Sequence, residues 1–484
     1  MKKYFCIFLL FLLSAAELYS QANAVLPPEP VLPLPTAAQL QWHEMEMNAF
    51  IHFTTNTFTD KEWGYGDESP AIFNPTAVNT EQWAKTLKEA GFKTLILTCK
   101  HHDGFCLWPS AYTEHSIKNS PYKNGTGDIV KEASAAARKY GLKFGVYLSP
   151  WDRNHADYGK PEYITYYRNQ LKELFTNYGD VFEMWFDGAN GGDGYYGGTK
   201  EKRQIDAATY YDWPGTLNQI KQLQPNVIFF SDAGPGVRWV GNESGIAGTT
   251  NWNTISTDTL FAGKAGIEGI LGTGSPDGNK WIPAEVDVSI RPGWFYHEKE
   301  DSLVKTPETL FKIYLTSVGR GSTLLLNVPP DRRGLFHEND VKALQGFRAI
   351  LKKEFGKNLA RKAPVMSSNT RGESSVYSAG NITDGNKDTY WATDDNLKTG
   401  SVEINLQRPD SIKYVVLQEY IKLGQRVKSF MIEIWSDGKW KNVANGTTIG
   451  YKRIIQLDRI ITNKIKITIT DAKACPAIAA VEVY

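Results

Sequence analysis

Cysteine is scarce in this sequence. The chain has only 4 cysteines in 484 residues, too few for the disulfide framework of a small secreted domain. Cys6 lies in an N-terminal apolar run, so Cys99, Cys106 and Cys475 remain in the rest of the chain. Their spacing matches no zinc-binding pattern. Because Cys99 falls inside an apolar run, we expect a buried core thiol there and not a metal ligand.

An excess of charge of one sign is also missing. The 54 basic and 53 acidic residues leave a net charge of +1, and no basic run occurs. Nucleic-acid-binding proteins usually show such a surplus, so no nucleic acid partner is expected. With 41% hydrophobic and 22% charged residues, the composition is that of a globular protein. The 14 tryptophans and 24 tyrosines suit stacking on sugar rings, but they equally suit a large core.

Long hydrophobic runs are absent beyond the N-terminus. Lys2 and Lys3 precede an apolar run at residues 4–16, and small residues follow around Ser20. A positively charged N-terminus, a short apolar run and small residues where cleavage would occur are typical of a secretory signal. Residues 1–20 are therefore predicted to be a signal peptide, since the run is short for a membrane span. The protein is expected to be exported, periplasmic or extracellular, and free of the membrane after signal removal.

Short apolar runs alternate with helical patterns between residues 40 and 356. The runs are continuous, as in parallel strands that are buried on both faces. No glycine-rich phosphate loop follows the first run, so the pattern favours an α/β fold of the (β/α)8-like barrel type over a doubly wound sheet. Segment 234–280 has no clear periodicity, and the barrel is expected to be irregular there. The predicted strands are 48–53, 93–100, 143–150, 181–186, 227–231 and 323–328.

The character of the chain changes after a polar hinge at residues 357–362. Helical periodicity stops there, and short alternating runs separated by turns follow. This pattern predicts an all-β sandwich over residues 363–484, a second domain behind the barrel at 40–356.

Polar and aromatic residues collect directly after the predicted barrel strands. In a (β/α)8 barrel, functional side chains lie at these carboxyl-terminal strand ends. Two carboxylates on separate strand ends are what glycoside cleavage requires, while histidine and arginine can bind hydroxyls and tryptophan can pack on a sugar face. The candidate residues are His52, His101, His102, Trp151, Asp187, Arg238, Glu243, Glu285, Asp287 and Trp294.

Each candidate also has a structural interpretation. A histidine after a strand is often part of the core, Asp187 could cap a following helix, and Glu243 could be a solvated loop residue. A metal hydrolase would also place histidine and aspartate at strand ends. However, adjacent His101 and His102 do not give the His-x-His spacing that such a site usually has.

Three motifs follow one another along the barrel segment: His101-His102-Asp103-Gly104-Phe105, Trp185-Phe186-Asp187-Gly188 and Arg238-Trp239-Val240-Gly241-Asn242-Glu243. Together they resemble the glycoside hydrolase family 29 α-L-fucosidases over about residues 40–355. The third motif and the later run from Glu285 to Trp294 are similar to the subfamily that prefers α-1,3- and α-1,4-linked fucose on branched glycans. Ile382-Thr383-Asp384-Gly385 and Tyr390-Trp391 resemble the discoidin-like galactose-binding sandwich, a less specific match.

The resemblance implies a retaining exo-α-L-fucosidase that acts on fucosylated glycans of the Lewis type. It implies Asp187 as the nucleophile and Glu243 as the acid/base, with Glu285 as the alternative acid/base. It implies no metal and no organic cofactor. The implied fucose pocket contains His52, His101 and His102, with Trp63, Arg238 and Trp294 as further members.

Two other functions stay open at this point. One is a retaining exo-glycosidase of another type, such as one acting on galactosides. The other is a non-catalytic glycan-binding protein, which the presence of both Asp187 and Glu243 disfavours. For the C-terminal domain a sugar-binding role and an architectural role are equally compatible with the sequence, and Trp391 is either core or binding platform.

Overall fold

Eight parallel strands form a closed barrel in the computed structural model, which describes residues 25–484. Each strand is hydrogen-bonded to its neighbours in chain order, and the last strand pairs with the first. The predicted barrel is thereby confirmed, whereas the predicted signal peptide, residues 1–20, lies outside the described residues. The strands are β1 (Met47–Ile51), β2 (Thr94–Lys100), β3 (Lys143–Leu148), β4 (Glu183–Trp185), β5 (Ile228–Ser231), β6 (Val237–Trp239), β7 (Ala284–Ser289) and β8 (Thr323–Asn327).

Helices cover the outside of the barrel. They are α1 (Ala37–Met45), α2 (Thr55–Thr59), α3 (Thr80–Ala90), α4 (Ile129–Lys139), α5 (Pro161–Asn177), α6 (Trp213–Leu223), α7 (Glu268–Thr273), α8 (Pro307–Thr316) and α9 (Glu338–Glu354). Local sequence sets their ends. The Asn79 side chain caps α3, and Gly91 ends it in the left-handed conformation at φ 99°. Trp83 and Leu87 on α3 are buried in the layer between strands and helices.

Alternate residues of each strand point into the barrel, because side chains of a strand alternate between its two faces. The inward set forms a small separate core, and the outward set packs under the helices. The inward set includes Phe50, Ile96, Tyr147, Trp185, Ile228, Phe230, Val237 and Leu325. The barrel is therefore filled with side chains, and only its ends offer room for a ligand.

The barrel is irregular around β6 and β7, as the sequence indicated for segment 234–280. Residues 232–236 join β5 to β6 without a helix, and the connection to β7 contains α7 and the short pair Thr254–Ile255 with Lys280–Trp281. Strands β6 and β7 were absent from the sequence prediction, which assigned no strand between residues 232 and 322. In β7, polar Glu285, Asp287 and Ser289 alternate with valines, so no continuous apolar run marks the strand.

The second domain is an antiparallel all-β structure, as predicted. Two long strands, Gly400–Glu419 and Arg453–Ala472, pair along most of their length. The other strands are Val365–Ser367, Trp391–Ala392, Val427–Ser436, Lys439–Gly446 and Ala477–Val483. Trp391 is 1% exposed and lies in the core of this domain, which excludes it as a surface platform for a sugar.

The sandwich packs directly against the barrel. Tyr414, Val416 and Ile454 belong to the same hydrophobic cluster as the outer barrel core. Backbone and side-chain hydrogen bonds join the domains around residues 249–253, where the Asn251 N–H donates to Thr448 Oγ1 (2.9 Å). The two domains therefore meet through an apolar contact that continues the outer barrel core and through polar contacts beside it, while the sandwich keeps a core of its own.

Two expectations from composition can be placed in the fold. Cys99, Cys106 and Cys475 are all buried and unpaired, so Cys99 is a core thiol as expected. Within residues 25–484, no helix has the length and apolar character that crossing a membrane requires.

Candidate active site

A cavity of about 210 Å³ lies at the carboxyl-terminal end of the barrel strands. Pockets for drug-sized ligands are about 300–1,000 Å³, so this cavity suits a single small ring. Its lining combines carboxyl groups, imidazoles and aromatic rings. The lining residues are Phe50, His52, Trp63, His101, His102, Tyr147, Trp185, Asp187, Ala189, Glu243, Asp287 and Trp294. Most of the predicted site residues thus come together in one place.

Strand β4 delivers Asp187 to the cavity through the two-residue period of a strand. Glu183, Trp185 and Asp187 follow one another along the inward side of β4. Glu183 is sealed inside the barrel, and Trp185 lies in the cavity floor. Asp187 lies two residues further, about 6–7 Å along the strand direction, and its side chain is 24% exposed.

The carboxyl group of Asp187 is held by two donors. The hydroxyl of Tyr147 on β3 donates to Oδ2 at 2.9 Å, and the backbone N–H of Ala189 donates to Oδ1 at 2.7 Å. No helix begins at Asp187, so the helix-cap interpretation does not apply. Hydrogen bonds to an anionic oxygen fix its direction and stabilise its charge, which leaves a carboxylate with a defined orientation at the cavity.

Glu243 lies in the loop after β6, across the cavity from β4. The indole N–H of Trp294 donates to its Oε2 at 3.1 Å. Partial burial of the carboxyl and the negative charge of Asp187 raise the pKa of Glu243, although the Trp294 hydrogen bond opposes them. A carboxyl group with a raised pKa retains its proton toward neutral pH, as a general acid requires.

Asp287 is the third carboxyl group of the cavity. It points inward from β7, and the indole N–H of Trp239 on β6 donates to its Oδ1 at 2.8 Å. Burial and the nearby charge of Glu243 raise the pKa of Asp287 well above its ordinary value. In its protonated form Asp287 can donate a hydrogen bond to a ligand hydroxyl group.

The hydrogen-bond network around Asn327 determines the tautomer of His52. The Asn327 amide nitrogen donates to Ser289 Oγ and to the carbonyl of Trp294, so its oxygen must be the atom that faces His52 Nδ1 at 2.8 Å. His52 Nδ1 therefore carries the hydrogen. Burial lowers the pKa of His52 to about 3, so the ring is neutral and Nε2 is an acceptor.

His102 has the same arrangement. The single hydroxyl hydrogen of Ser149 goes to the Trp151 carbonyl at 2.7 Å, so Ser149 Oγ accepts the hydrogen of His102 Nδ1 at 2.7 Å. His102 Nε2 then lies 3.7 Å from Asp187 Oδ2. Burial lowers the pKa of His102 although Asp187 opposes this, so the neutral ring again presents an acceptor.

His101 lies between the other two imidazoles. Its ring centroid is 4.1 Å from that of His102 and 5.7 Å from that of His52. Burial first, and then the two neighbouring imidazoles, lower its pKa well below the ordinary value. Three uncharged imidazoles therefore line one side of the cavity, a surface that binds hydroxyl groups without attracting a charge.

Tryptophans form the rim. Trp294 lines the cavity, and Trp63 is 54% exposed at its edge. The predicted contact of Trp151 with a ligand is corrected by the structure. Trp151 lies behind the lining, where its ring packs against His102 and Trp63 and its N–H donates to Tyr196. It supports lining residues but does not line the cavity itself.

Arg238 is a second correction. The sequence motif suggested a pocket member, but the Arg238 side chain is fully buried beside β6. Its guanidinium donates to the carbonyls of Leu271, Ile282 and Trp252 and to the amide oxygen of Asn251. Such burial lowers the pKa of Arg238 to about 9. Arg238 anchors the long connection between β6 and β7 to β6.

Glu285 is the third correction, because it does not reach the cavity. It is sealed in the barrel interior, two residues before Asp287 on β7, and its Oε1 accepts the Trp185 indole N–H at 3.0 Å. Its neighbour there is Glu183. Burial raises the pKa of both carboxyl groups, and the charge of Glu285 raises that of Glu183 further. Glu285 is therefore not positioned to protonate a leaving group.

Several residues of the site were absent from the sequence prediction. Phe50, Tyr147 and Trp185 lie within strands, and their inward direction depends on strand phase. Because the runs around them are apolar on both faces, no periodicity distinguishes inward from outward residues. Tyr147 could have been found from its position near the end of the predicted strand 143–150. It lies two residues before Ser149, and residues two apart in a strand lie on the same face.

The arrangement combines the oriented carboxyl group of Asp187, a second carboxyl group on Glu243 whose pKa is raised, and uncharged imidazoles that can bind hydroxyl groups. Such a pair can carry out nucleophilic attack and proton transfer on the two sides of a glycosidic bond.

Comparison with known proteins gives the same result for the whole chain. The family model described as Alpha-L-fucosidase matches residues 33–354, and the F5/8 type C domain model matches residues 365–483. Alpha-L-fucosidase 1 of Arabidopsis thaliana is 42% identical, over 99% of this chain and 92% of that protein. A putative alpha-L-fucosidase 1 of Oryza sativa subsp. japonica is 43% identical, over 98% of this chain and 89% of that protein.

Solved structures are similar over nearly the full length. A putative alpha-L-fucosidase from Bacteroides thetaiotaomicron has a TM-score of 0.87 at 40% identity and covers 95% of this chain and 99% of its own. A glycoside hydrolase family 29 fucosidase from Ruminococcus gnavus, in complex with fucose, has a TM-score of 0.85 at 36% identity, with 96% of each chain covered.

Proposed function

This chain belongs to the α-L-fucosidases of glycoside hydrolase family 29, and from that premise we propose that it is an exported, retaining exo-enzyme that removes terminal α-1,3- or α-1,4-linked fucose from branched glycans. The observation that carries the proposal is the placement of Asp187 and Glu243 in the lining of one cavity. One of these groups is a carboxylate fixed by two donors, and the other has a raised pKa.

The proposed chemistry is a double displacement. A carboxylate oxygen of Asp187 attacks the anomeric carbon, while Glu243 gives its proton to the departing glycosidic oxygen. The resulting fucosyl ester is then hydrolysed by a water molecule that gives a proton to Glu243. Two displacements at one carbon retain the configuration, and both catalytic groups return to their starting states.

The neutral histidines support a role in binding sugar hydroxyls. His52 Nε2 and His102 Nε2 are acceptors by the hydrogen-bond networks of Asn327 and Ser149. Each can accept a hydrogen bond from a hydroxyl group of the fucose ring. Burial and the charge of Glu243 raise the pKa of Asp287 well above its ordinary value, so in its protonated form it can supply a donor on the β7 side. A ligand hydroxyl group therefore meets both hydrogen-bond acceptors and a donor in the lining.

The apolar part of the lining favours a deoxysugar over a galactoside. Phe50, Trp185 and Ala189 contribute apolar surface to the cavity. Fucose has a methyl group on C5 where galactose has a hydroxymethyl group. Burying a methyl group against such an apolar surface is favourable because it removes apolar area from water. The complex of the Ruminococcus gnavus relative with fucose supports the same choice.

The preference for branched substrates rests on the motif ending at Glu243 and on the rim. Trp63 is 54% exposed at the cavity edge, outside the space that one ring fills. An exposed indole face can pack against a neighbouring sugar of the branch. Export rests on the N-terminal pattern of residues 1–20, and N-terminal sequencing of the mature protein tests it.

The function is tested by digesting α-1,2-, α-1,3-, α-1,4- and α-1,6-fucosylated oligosaccharides side by side, with p-nitrophenyl fucoside and galactoside as simple substrates. We expect fucose release from the α-1,3 and α-1,4 branches at least tenfold faster than from the other linkages. Proton NMR during the first minutes should show the α-anomer of fucose. Initial release of the β-anomer would exclude retention, and equal rates on all linkages would exclude the branch preference.

A further inference from the structure

His297 connects two loops at the rim of the cavity. It lies after β7, and its Nδ1 is 2.6 Å from Asp60 Oδ1 while its Nε2 is 2.6 Å from Glu62 Oε1. Asp60 and Glu62 belong to the loop after β1, directly before Trp63. The ring is nearly buried, with 5% of its side chain exposed, whereas the two carboxylates are partly open to solvent.

Two short contacts to carboxylates require an imidazolium, because a neutral ring has only one N–H to donate. Burial alone would lower the pKa of His297, but the hydrogen bonds to Asp60 and Glu62 outweigh it and raise the pKa above the ordinary value. Glu300 adds to this effect. Lys299 and Arg332 are the cations that face Asp60.

Glu62 continues the connection toward the catalytic groups. Its Oε2 accepts the backbone N–H of Trp294 at 2.8 Å, and its Oε1 accepts that of Phe295 at 3.3 Å. A Cβ at Gly293 would lie 2.5 Å from Glu62 Oε1, so the close approach requires glycine at this position. The backbone of Trp294 is thereby held by Glu62, and the indole N–H of the same residue donates to Glu243.

We propose that His297 is a positioning residue for the acid/base. As an imidazolium clamped between Asp60 and Glu62, it fixes Glu62, which fixes the Trp294 backbone, which orients the indole N–H on Glu243. The inference rests on the proposed role of Glu243 and adds to it a residue that touches neither substrate nor the reacting atoms. Its effect is expected to be largest on the step that needs a proton from Glu243.

The sign of the pH dependence follows from the raised pKa. The clamp is complete when His297 is protonated, and one of its two hydrogen bonds is lost as the pH rises through the pKa of the folded protein. Activity on substrates with poor leaving groups therefore falls with His297 deprotonation, in addition to any loss through Glu243. Activated aryl fucosides, whose leaving groups need little protonation, are insensitive to it.

The first test is His297→Gln in the full-length enzyme, with His337→Gln as the matched control. His337 also faces carboxylates, Asp301 and Glu338, but it has no contact with Glu62 or Trp294. We expect His297→Gln to lower kcat on a branched oligosaccharide about 10- to 100-fold, the scale of a misplaced catalytic group. Activity on an activated aryl fucoside should change less than threefold, and His337→Gln should leave both substrates unaffected.

The second test is Asp60→Asn, a change at a partly exposed position that the fold tolerates readily. Losing this carboxylate should lower the pKa of His297, which histidine side-chain NMR measures directly with His297→Gln as the assignment control. The alkaline limb of kcat for the branched substrate should move to lower pH by the same amount. A residue that only stabilises the fold would not move this limb.

Failure of the inference is distinguishable from failure of the proposed function. If Glu243→Gln shows no leaving-group dependence, the acid/base assignment is wrong. If Glu243→Gln shows it while both His297→Gln and Asp60→Asn keep wild-type ratios between the two substrates, the acid/base stands and the positioning role of His297 is overturned.

Discussion

The barrel contains carboxyl groups at two depths, some in its packed interior and some in the lining of the cavity. Only the groups at the cavity are placed to contact a ligand. On β4, Glu183 is sealed in the interior and Asp187 reaches the cavity. On β7, Glu285 is sealed and Asp287 lines the cavity. In both strands a short advance along the same face, two residues in β7 and four in β4, moves a carboxyl group from packed interior to a surface that a ligand can reach.

The partners of the two levels differ accordingly. Asp187 is held by a tyrosine hydroxyl and a backbone N–H. Glu183 and Glu285 have mainly each other and indole N–H groups, and burial raises the pKa of both. Two adjacent buried carboxyl groups cannot both ionise, so the interior pair holds at least one proton. Depth along the strand, and not residue type, sets what each carboxyl group does.

Asp187→Ala should have the largest effect on activity. Removing the proposed nucleophile should lower kcat/KM by about 10³-fold or more, and azide should restore turnover by attacking the open anomeric carbon to give a fucosyl azide. Rates on p-nitrophenyl fucoside with and without azide check this. Asp193→Ala, an exposed position in the loop that follows, is the control. Near-normal activity of Asp187→Ala would contradict the view that the carboxyl groups at the cavity differ in role from those in the barrel interior.

Glu243→Gln should have the next largest effect, and one that depends on the leaving group. Without a proton donor, kcat on branched oligosaccharides should fall about 10²- to 10⁴-fold, whereas kcat on activated aryl fucosides should fall far less. The plot of log kcat against leaving-group pKa should become steep. Glu268→Gln, an exposed glutamate elsewhere in the same connection, should keep the wild-type slope; a wild-type slope in Glu243→Gln would contradict the assignment.

Glu285→Gln should have the smallest effect on activity, at most about threefold, since its carboxyl group does not touch the cavity. Its effect should be on stability instead. A raised pKa in the folded state means stability that is present at low pH and lost as the pH rises. The substitution should therefore flatten the decline of Tm between about pH 5 and pH 8. A loss of activity comparable to that of Glu243→Gln would show that Glu285, although buried in the barrel interior, takes part in the reaction.

The sequence was sufficient for the regular part of this architecture. Continuous apolar runs predicted β1 to β5 and β8, because strands covered on both faces have no polar positions. The histidines and Asp187 were found because they are polar residues at the ends of such runs, whereas Glu243 was implied by the resemblance of its motif to the family.

The sequence was insufficient where polar residues face the barrel interior. β7 alternates Glu285, Asp287 and Ser289 with apolar residues, which is typical of a half-solvated strand or a loop. Arg238 was predicted to contact the ligand because its motif resembles that of the family and because arginine can bind hydroxyl groups. Its acceptors come from residues 251–282, and no local pattern brings that distant segment to β6.

The long connection between β6 and β7 joins the barrel to the sandwich. Arg238 ties β6, and with it the loop that carries Glu243, to Asn251 and Trp252. That same segment is gripped by Thr448 and Gln425 of the sandwich. A barrel separated from the sandwich would therefore lose the outer support of the loop that carries Glu243.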